Sequence, residues 1–467
     1  MGTVGFIEAC ESIATKGSTM SEPHYATLPV VVIGAGPTGL SAAAQLRSRD
    51  VDVLVLEAGK AAGAAVSEWG HVRLFSPWSE LIDPVADKLL TDTGWTSPDR
   101  DRFPTGADWV STYLQPLADA LGDSVRFGTT VTAVAKQGRD RLVSSGRDDA
   151  PFTVHVRTDG GEEHVQARAV IDASGTWSGP NPLGGDGLAA IGEAEASERI
   201  SYRIPDLRDT EVRARYAGKH VVVAGTGASA KGALIGLTAL AKQEPGTRIT
   251  WLVRRATVGE AFAGSGQDEL PQRGALGQQA QAAVAEGPVT TINGFRTARI
   301  DRLAEDRLRV ESFDGKVVED VDEVVALTGF RPDLSILSEI RLDLDPVLQA
   351  PRQLAPLIDP NVHSCGTVYP HGVKELAQPE TGFYLVGMKS YGRATSFLTL
   401  TGFEQVRSVT AAIAGDHEAA ARVELTLPET GVCGGSGLFD ESSDATGGCC
   451  GAPAAPELIT LGRPGTQ

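Results

Sequence analysis

Gly34, Gly36 and Gly39 stand at Gly-x-Gly-x-x-Gly spacing in Val-Ile-Gly-Ala-Gly-Pro-Thr-Gly, with Pro37 and Thr38 inside the cluster. Glu57 ends the apolar run Val51 to Leu56 that follows. Gly225, Gly227 and Ala230 repeat the spacing, with Ser229 beside them, and Arg254 and Arg255 end the run Ile249 to Val253. A glycine turn between a strand and a helix lets main-chain N–H groups approach a pyrophosphate, whose charge the helix N-terminus favours. The residue closing the next strand then reads the ribose. A carboxylate accepts hydrogen bonds from a free diol, whereas a guanidinium pair suits a ribose carrying a further phosphate. The two clusters therefore predict FAD at the first and NADPH at the second.

Each cluster needs a strand, turn, helix, strand unit to position it. Leu28 to Ile33 predicts a strand, Gly39 to Leu46 an Ala-rich helix, and Val51 to Leu56 the second strand. From about Gly218, Lys219 to Val223 and Ser229 to Leu240 repeat the strand and helix. Residues 60–115, with Trp69, Trp78, Trp95 and Trp109, predict loops and helices covering a flavin face. Val125 to Val134, which includes the candidate cofactor contact Val131, predicts a strand, as do Phe152 to Arg157 and Val165 to Ile171. The last closes on Asp172-Ala173-Ser174-Gly175, where small residues let the chain pass near a cofactor or make an ordinary interdomain crossover. The second unit closes on Glu323 to Gly329, and Gly382 to Gly387 predicts a further strand and tight turn before a helix over Thr401 to Ile413.

A chain of 467 residues exceeds one ordinary core and implies two or three packed units. The formal charge of −18 argues against a nucleic-acid partner, because phosphates would be repelled. The apolar runs are strand-sized, well short of the roughly 20 residues of a spanning helix, so no membrane insertion is expected. Residues 1–27 carry no recognisable secretory signal and are expected to be a disordered extension, in which residues 1–19, ahead of Met20, are either part of that extension or an overlong start. The five cysteines form no secreted disulfide framework, and a reducing cytoplasm fits them.

With both clusters placed, the chain resembles the two-dinucleotide-binding flavoproteins, which include flavin-containing monooxygenases and pyridine nucleotide-disulfide reductases. The resemblance spans roughly residues 28–415 and implies an α/β fold of two Rossmann-like, three-layer β/β/α domains. The NADPH-binding domain, 207–330, would be inserted between the two parts of the FAD-binding domain, 28–206 and 331–415, with a flexible tail over 416–467. Ala173 and Gly175, then Gly329, match its two crossovers, and Gly387 its late cofactor turn. The reductases of that group carry a flavin-proximal cysteine pair and usually a Gly-Asp turn after the late strand. This chain has no cysteine in either place and reads Gly387-Met388, which favours the monooxygenase branch. The Phe-x-Gly-x-x-x-His stretch of that branch is replaced by Ala190-Ile-Gly-Glu-Ala-Glu-Ala196, so no Baeyer-Villiger or amine-oxygenating assignment carries over.

Glu380 to Arg393, Thr401 to Ser408 and Leu427 to Cys433 with Cys449-Cys450 resemble flavoproteins of bacterial arsenic-resistance clusters. Three thiolates on a Gly-rich segment suit a soft ion or metalloid, and trivalent arsenic accepts three in a pyramid. Cys433, Cys449 and Cys450 supply that number, although a redox pair or an incidental tail are the alternatives. Cys10 and Cys365 are each alone and read as inert. His71, His363 and His371 read as satisfied loop histidines, and Arg73 either as a partner for reduced flavin or as a surface ion-pair residue. No residue is assigned a catalytic role. The expected activity is an NADPH-dependent flavoprotein monooxygenase that uses dioxygen on a soft heteroatom such as a trivalent arsenical. The alternatives are a reductase that passes electrons to the tail thiols, and a non-catalytic metalloid-binding chaperone.

Overall fold

The computed structural model describes residues 27–256, 262, 271–360, 370–394 and 397–425. In chain order its strands begin with β1 (Val30–Ile33), β2 (Val53–Leu56), β3 (Val125–Arg126), β4 (Thr130–Lys136), β5 (Phe152–Thr158) and β6 (Gly161–Ala167). They continue with β7 (Ala169–Asp172), β8 (Ile200–Ser201), β9 (His220–Ala224), β10 (Arg248–Val253) and β11 (Val289–Asn293). The last five are β12 (Thr297–Arg302), β13 (Leu308–Ser312), β14 (Val317–Val321), β15 (Glu323–Ala326) and β16 (Phe383–Leu385). Two five-stranded sheets, ordered β16-β7-β1-β2-β3 and β11-β10-β9-β15-β8, are parallel throughout. Two three-stranded sheets, β4-β5-β6 and β12-β13-β14, are antiparallel.

The side-chain period of two explains why each parallel sheet is covered on both faces. Val30 and Val32 of β1 join Leu40 of the helix Pro37–Arg47 in one core, while Val31 and Ile33 join Val134, Phe152 and Val154 of β4 and β5 in another. The second sheet repeats the division. Val221 and Val223 of β9 meet Leu234 and Leu237 of the helix Ala228–Gln243, and Val222 and Ala224 meet Ile300 and Val310 of β12 and β13. Helix, parallel sheet and antiparallel sheet thus form the expected three β/β/α layers twice. β16 returns to pair with β7 after every strand of the second sheet, so the second sheet lies within the sequence of the first.

Four expectations change in detail. The run Val125 to Val134 serves two sheets, because Gly128 at φ +62° turns the chain between β3 and β4. Val165 to Ile171 likewise divides into the end of β6 and most of β7, with Arg168 N–H bound by Pro29 O at 3.1 Å. Trp78 and Trp109 are core residues under the helix Pro37–Arg47, and Trp69 and Trp95 pack against that core. The aromatic richness of 60–115 therefore fills a helical layer, since large apolar rings contribute most when buried. Finally, β8 pairs with β15, and Leu183, Ala190 and Ala196 join the second unit's core, so that unit draws on residues ahead of position 207. No helix among the described residues is long and apolar enough to cross a membrane.

Candidate functional site

Both glycine turns lie at the carboxyl ends of the central strands, where open parallel sheets place their ligands. Gly34 adopts φ +98° after β1, and a side-chain carbon there would lie 3.0 Å from the Ala173 carbonyl oxygen. Gly225 adopts φ +119° after β9, and the same carbon would lie 2.2 Å from the Leu327 carbonyl oxygen. Each turn is thus pressed against the crossover that follows the neighbouring strand, as Ala173 N–H to Ile33 O (3.0 Å) and Leu327 N–H to Ala224 O (2.8 Å) also show. At Gly36 and Gly227, by contrast, a side-chain carbon would meet nothing within 4 Å. These two residues cap the helices Pro37–Arg47 and Ala228–Gln243, and neither helix has a side-chain cap or an acidic residue in its first turn. Two helix N-termini therefore face open space with unopposed partial positive charge, which fits a diphosphate at each.

The residues that end the second strand of each unit stand where the sequence predicts. Glu57 accepts Ala35 N–H through Oε2 and Gly59 N–H through Oε1, both at 2.7 Å. A carboxylate has about four acceptor positions, so two remain for a ribose diol. Arg254 and Arg255 follow β10, and burial with the like charges of Arg255 and Arg296 holds the Arg254 guanidinium below the usual arginine range. Ser229 is half-buried beside the buried Ala230 at the start of its helix. Pro37 occupies the first position of its helix, where a missing N–H costs nothing. Val131 packs its side chain into the core beneath the first sheet.

Thr38, Gly387 and Gly402 meet at the first turn, since a side-chain carbon at either glycine would lie 2.9 Å from Thr38 Oγ1. Gln405 holds Gly387 in place: its Oε1 accepts Gly387 N–H at 2.7 Å, and its Nε2 lies 2.9 Å from Ser390 Oγ and 2.8 Å from His371 Nε2. His371 is a buried member of this network. One residue past the expected reductase aspartate position, Lys389 Nζ contacts Asp172 Oδ2 at 2.7 Å and Ser174 Oγ at 3.0 Å. Asp172 Oδ1 accepts Ser174 N–H (3.1 Å) and Ser174 O–H (2.6 Å), which leaves this wholly buried ion pair well satisfied. The pair joins β7 to the turn after β16.

Gly175 and Gly329 adopt φ +70° and +89° in crossovers that are bound to each other. Asn181 N–H donates to Gly329 O (2.9 Å), Thr328 Oγ1 to Asn181 O (2.7 Å), Arg331 N–H to Gly179 O (2.8 Å) and Arg331 Nε to Asn181 Oδ1 (2.9 Å). Trp177 and Phe330, one in each crossover segment, stack at 4.9 Å, and the Arg203 guanidinium lies 3.9 Å over Trp177. Trp177 Nε1 donates to Glu68 Oε2 at 2.7 Å, tying this seam to the first unit. Lys389, Gln405, Trp177, Arg203 and Phe330 are not among the residues that the sequence predicts for the site. Of these, only Lys389 had a local signal, its position beside a turn that lacks the reductase aspartate.

Arg73 lies apart from the turns, its exposed guanidinium donating to Phe103 O. His71 has a buried Nε2 without a hydrogen-bond partner, and burial lowers its pKa, followed by an opposing effect of Asp206. Cys10, His363, Cys365, Cys433, Cys449 and Cys450 lie outside the described residues. Among the described residues no cluster of three or more metal-ligating side chains occurs.

A sequence profile of the pyridine nucleotide-disulphide oxidoreductases matches residues 31–364. Indole-3-pyruvate monooxygenase YUCCA1 of Oryza sativa subsp. japonica is 30% identical over 201 residues, which span 43% of this chain and 42% of that relative. The chain thus covers less than half the length of that curated relative. Bacillithiol disulfide reductase Bdr from Bacillus cereus superposes with a TM-score of 0.60 at 20% identity, over 83% of this chain and 99% of that one. The cadaverine monooxygenase DfoA from Erwinia amylovora, bound to FAD, gives 0.57 at 14% identity, over 85% and 98%. Similarity at these identities concerns the fold, which reductases and monooxygenases share.

Proposed function

We propose that this chain, which belongs to the pyridine nucleotide-disulphide oxidoreductase family, is a monooxygenase acting on a soft heteroatom, with a trivalent arsenical as substrate. It is an FAD-containing, NADPH-dependent oxidoreductase, and the two open glycine cradles are the places that fit these cofactors. When bound, the flavin accepts hydride from NADPH and activates dioxygen. The protein's part is to hold and orient. The helix N-termini after Gly36 and Gly227 bind diphosphate, Glu57 takes the ribose diol, and Arg254 and Arg255 take the additional phosphate. Gln405, Lys389 and Asp172 fix the turn beside the first cradle.

The observation that carries the oxygenase reading is the cysteine distribution. No cysteine occurs between Cys10 and Cys365, so neither customary position for a flavin-proximal dithiol can supply a relay. Cys433, Cys449 and Cys450 support a thiophilic substrate, which they would capture and present. The reaction balances with NADPH, a proton and dioxygen as co-reactants. One oxygen atom joins the arsenic lone pair to give the pentavalent state, and the other leaves as water while NADPH becomes NADP⁺.

The test is anaerobic reduction by NADPH followed by aeration with a trivalent arsenical. Substrate-stimulated NADPH consumption with one pentavalent product per NADPH is expected. Neither stimulation nor pentavalent product would sink the reading, and a thiolate-to-flavin charge-transfer band with uptake of more than one hydride equivalent would replace it by the reductase. Substituting Cys433, Cys449 and Cys450 together should leave NADPH oxidation in place while weakening arsenical capture.

A further inference from the structure

We infer that Arg296 is a third phosphate-reading residue of the second cradle, and that it sets the preference for NADPH over NADH together with Arg254 and Arg255. This rests on the NADPH reading above. The ends of β10 and β11 are fastened side by side, because Phe295 N–H donates to Val253 O at 3.0 Å and Gly294 N–H donates to Arg255 O at 2.7 Å. Phe295 is buried in the second unit's core and Arg296, the next residue, is exposed. An extended chain alternates its sides, so anchoring Phe295 inward turns Arg296 outward beside the arginine pair.

The Arg296 backbone is pinned from two further directions. Phe313 N–H donates to Arg296 O at 3.0 Å, and Gly185 packs so closely that a side-chain carbon there would lie 2.6 Å from Arg296 Cβ. Gly185 N–H also donates to Thr297 O at 2.8 Å. Among the described residues no carboxylate or other acceptor engages the Arg296 guanidinium. Three guanidiniums therefore gather at the end of two adjacent strands in a chain of net charge −18, and after desolvation it is the like charges of Arg255 and Arg296 that disfavour the charged form of Arg254. A phosphate dianion offers Arg296 an acceptor that the arginine pair can share, since its oxygens accept from several planar donor forks at once. With the backbone of Arg296 already fixed, only its side-chain rotamers are ordered when the phosphate arrives.

The experiment is calorimetric titration of the flavin-loaded protein with 2′,5′-ADP and with 5′-AMP, which differ only by the phosphate in question. The R296Q variant should weaken 2′,5′-ADP by about tenfold or more, the scale of a charge-assisted hydrogen bond, and leave 5′-AMP unchanged. R296K should recover part of the loss, because it keeps the charge but not the fork. An R296Q protein that binds 2′,5′-ADP like the parent, while R254Q loses it, would overturn the role of Arg296 and spare the NADPH reading. A parent protein that binds the two nucleotides equally would overturn both. Equal weakening of both nucleotides by R296Q would mark it as a shape defect and refute the phosphate role.

Discussion

The two nucleotide cradles share a backbone and differ in what braces it. In the first, Glu57 ends the second strand and reaches back to Ala35 N–H inside the turn, so the group proposed to read the ribose also holds the turn. In the second, the fully buried Trp251 performs that bracing by donating Nε1–H to Gly225 O at 2.8 Å, while Arg254 and Arg255 come after it. The neighbouring strands differ in the same sense. β7 ends in Asp172, neutralised by Lys389, whereas β15 ends in Ala326 and passes into Leu327. Polar groups hold the first cradle, and an apolar core with one indole holds the second.

The largest test of this contrast is removal of Lys389. K389M leaves Asp172 buried without its counter-charge, which should cost about 3–5 kcal/mol in urea unfolding. D172N together with K389M should recover a substantial part, because no buried charge remains. A loss below about 1 kcal/mol in K389M would show that the first cradle does not depend on its polar brace.

A smaller effect is expected at the third motif position, where the first unit has Gly39 and the second Ala230. A side-chain carbon at Gly39 would lie 2.0 Å from Gly34 O, which is backbone and cannot step aside. G39A should therefore cost about 3 kcal/mol, at the upper end of overpacking, with loss of flavin absorbance from the purified protein. The reciprocal change, A230G, removes a buried methyl and raises the conformational entropy lost on folding, for about 1 kcal/mol by thermal unfolding. Equal penalties at the two positions would erase the difference in helix approach that separates the units.

The parts legible in the sequence were those with a local cause. Glycines at positive φ, the apolar runs of β1, β2, β9 and β10, and the charges closing β2 and β10 all lie within short windows. Lys389 and Asp172 are 217 residues apart, and no local pattern joins them until β16 returns to β7. Gln405 escaped notice for the same reason, since its importance lies in reaching Gly387 and His371 across a turn. The tryptophans of 60–115 show the limit of composition. A ring that covers a cofactor and a ring that fills a core have the same residue type, and only packing assigned Trp78 and Trp109 to the core. The split at Gly128 was visible as a glycine inside a β-rich run, yet an apolar run alone does not say how many sheets it feeds.

The smallest expected effect concerns the strands that begin each unit, where β1 starts with Val30 and β9 with His220. His220 is buried, with Nδ1 3.1 Å from Asp320 O and Nε2 2.8 Å from Thr250 Oγ1, an arrangement that suits the neutral ring with Nδ1–H donating and Nε2 accepting. Burial lowers its pKa from 6.5, partly opposed by the Asp320 carbonyl, while Arg248 lowers it further and Asp322 and Glu319 raise it. The unfolded chain then takes up this proton before the folded one does. Stability is therefore fully present above pH 6.5 and declines as the pH falls through the lower folded value. H220Q removes that titration while keeping a polar side chain, so urea unfolding compared on either side of pH 6.5 should show a shallower loss on acidification than the parent. The first unit offers no titratable group at Val30, and V30I should leave the slope as it was. An H220Q slope equal to that of the parent would mean that the second core tolerates a charged imidazole, and that the apolar brace around Trp251 is wetter than its burial implies.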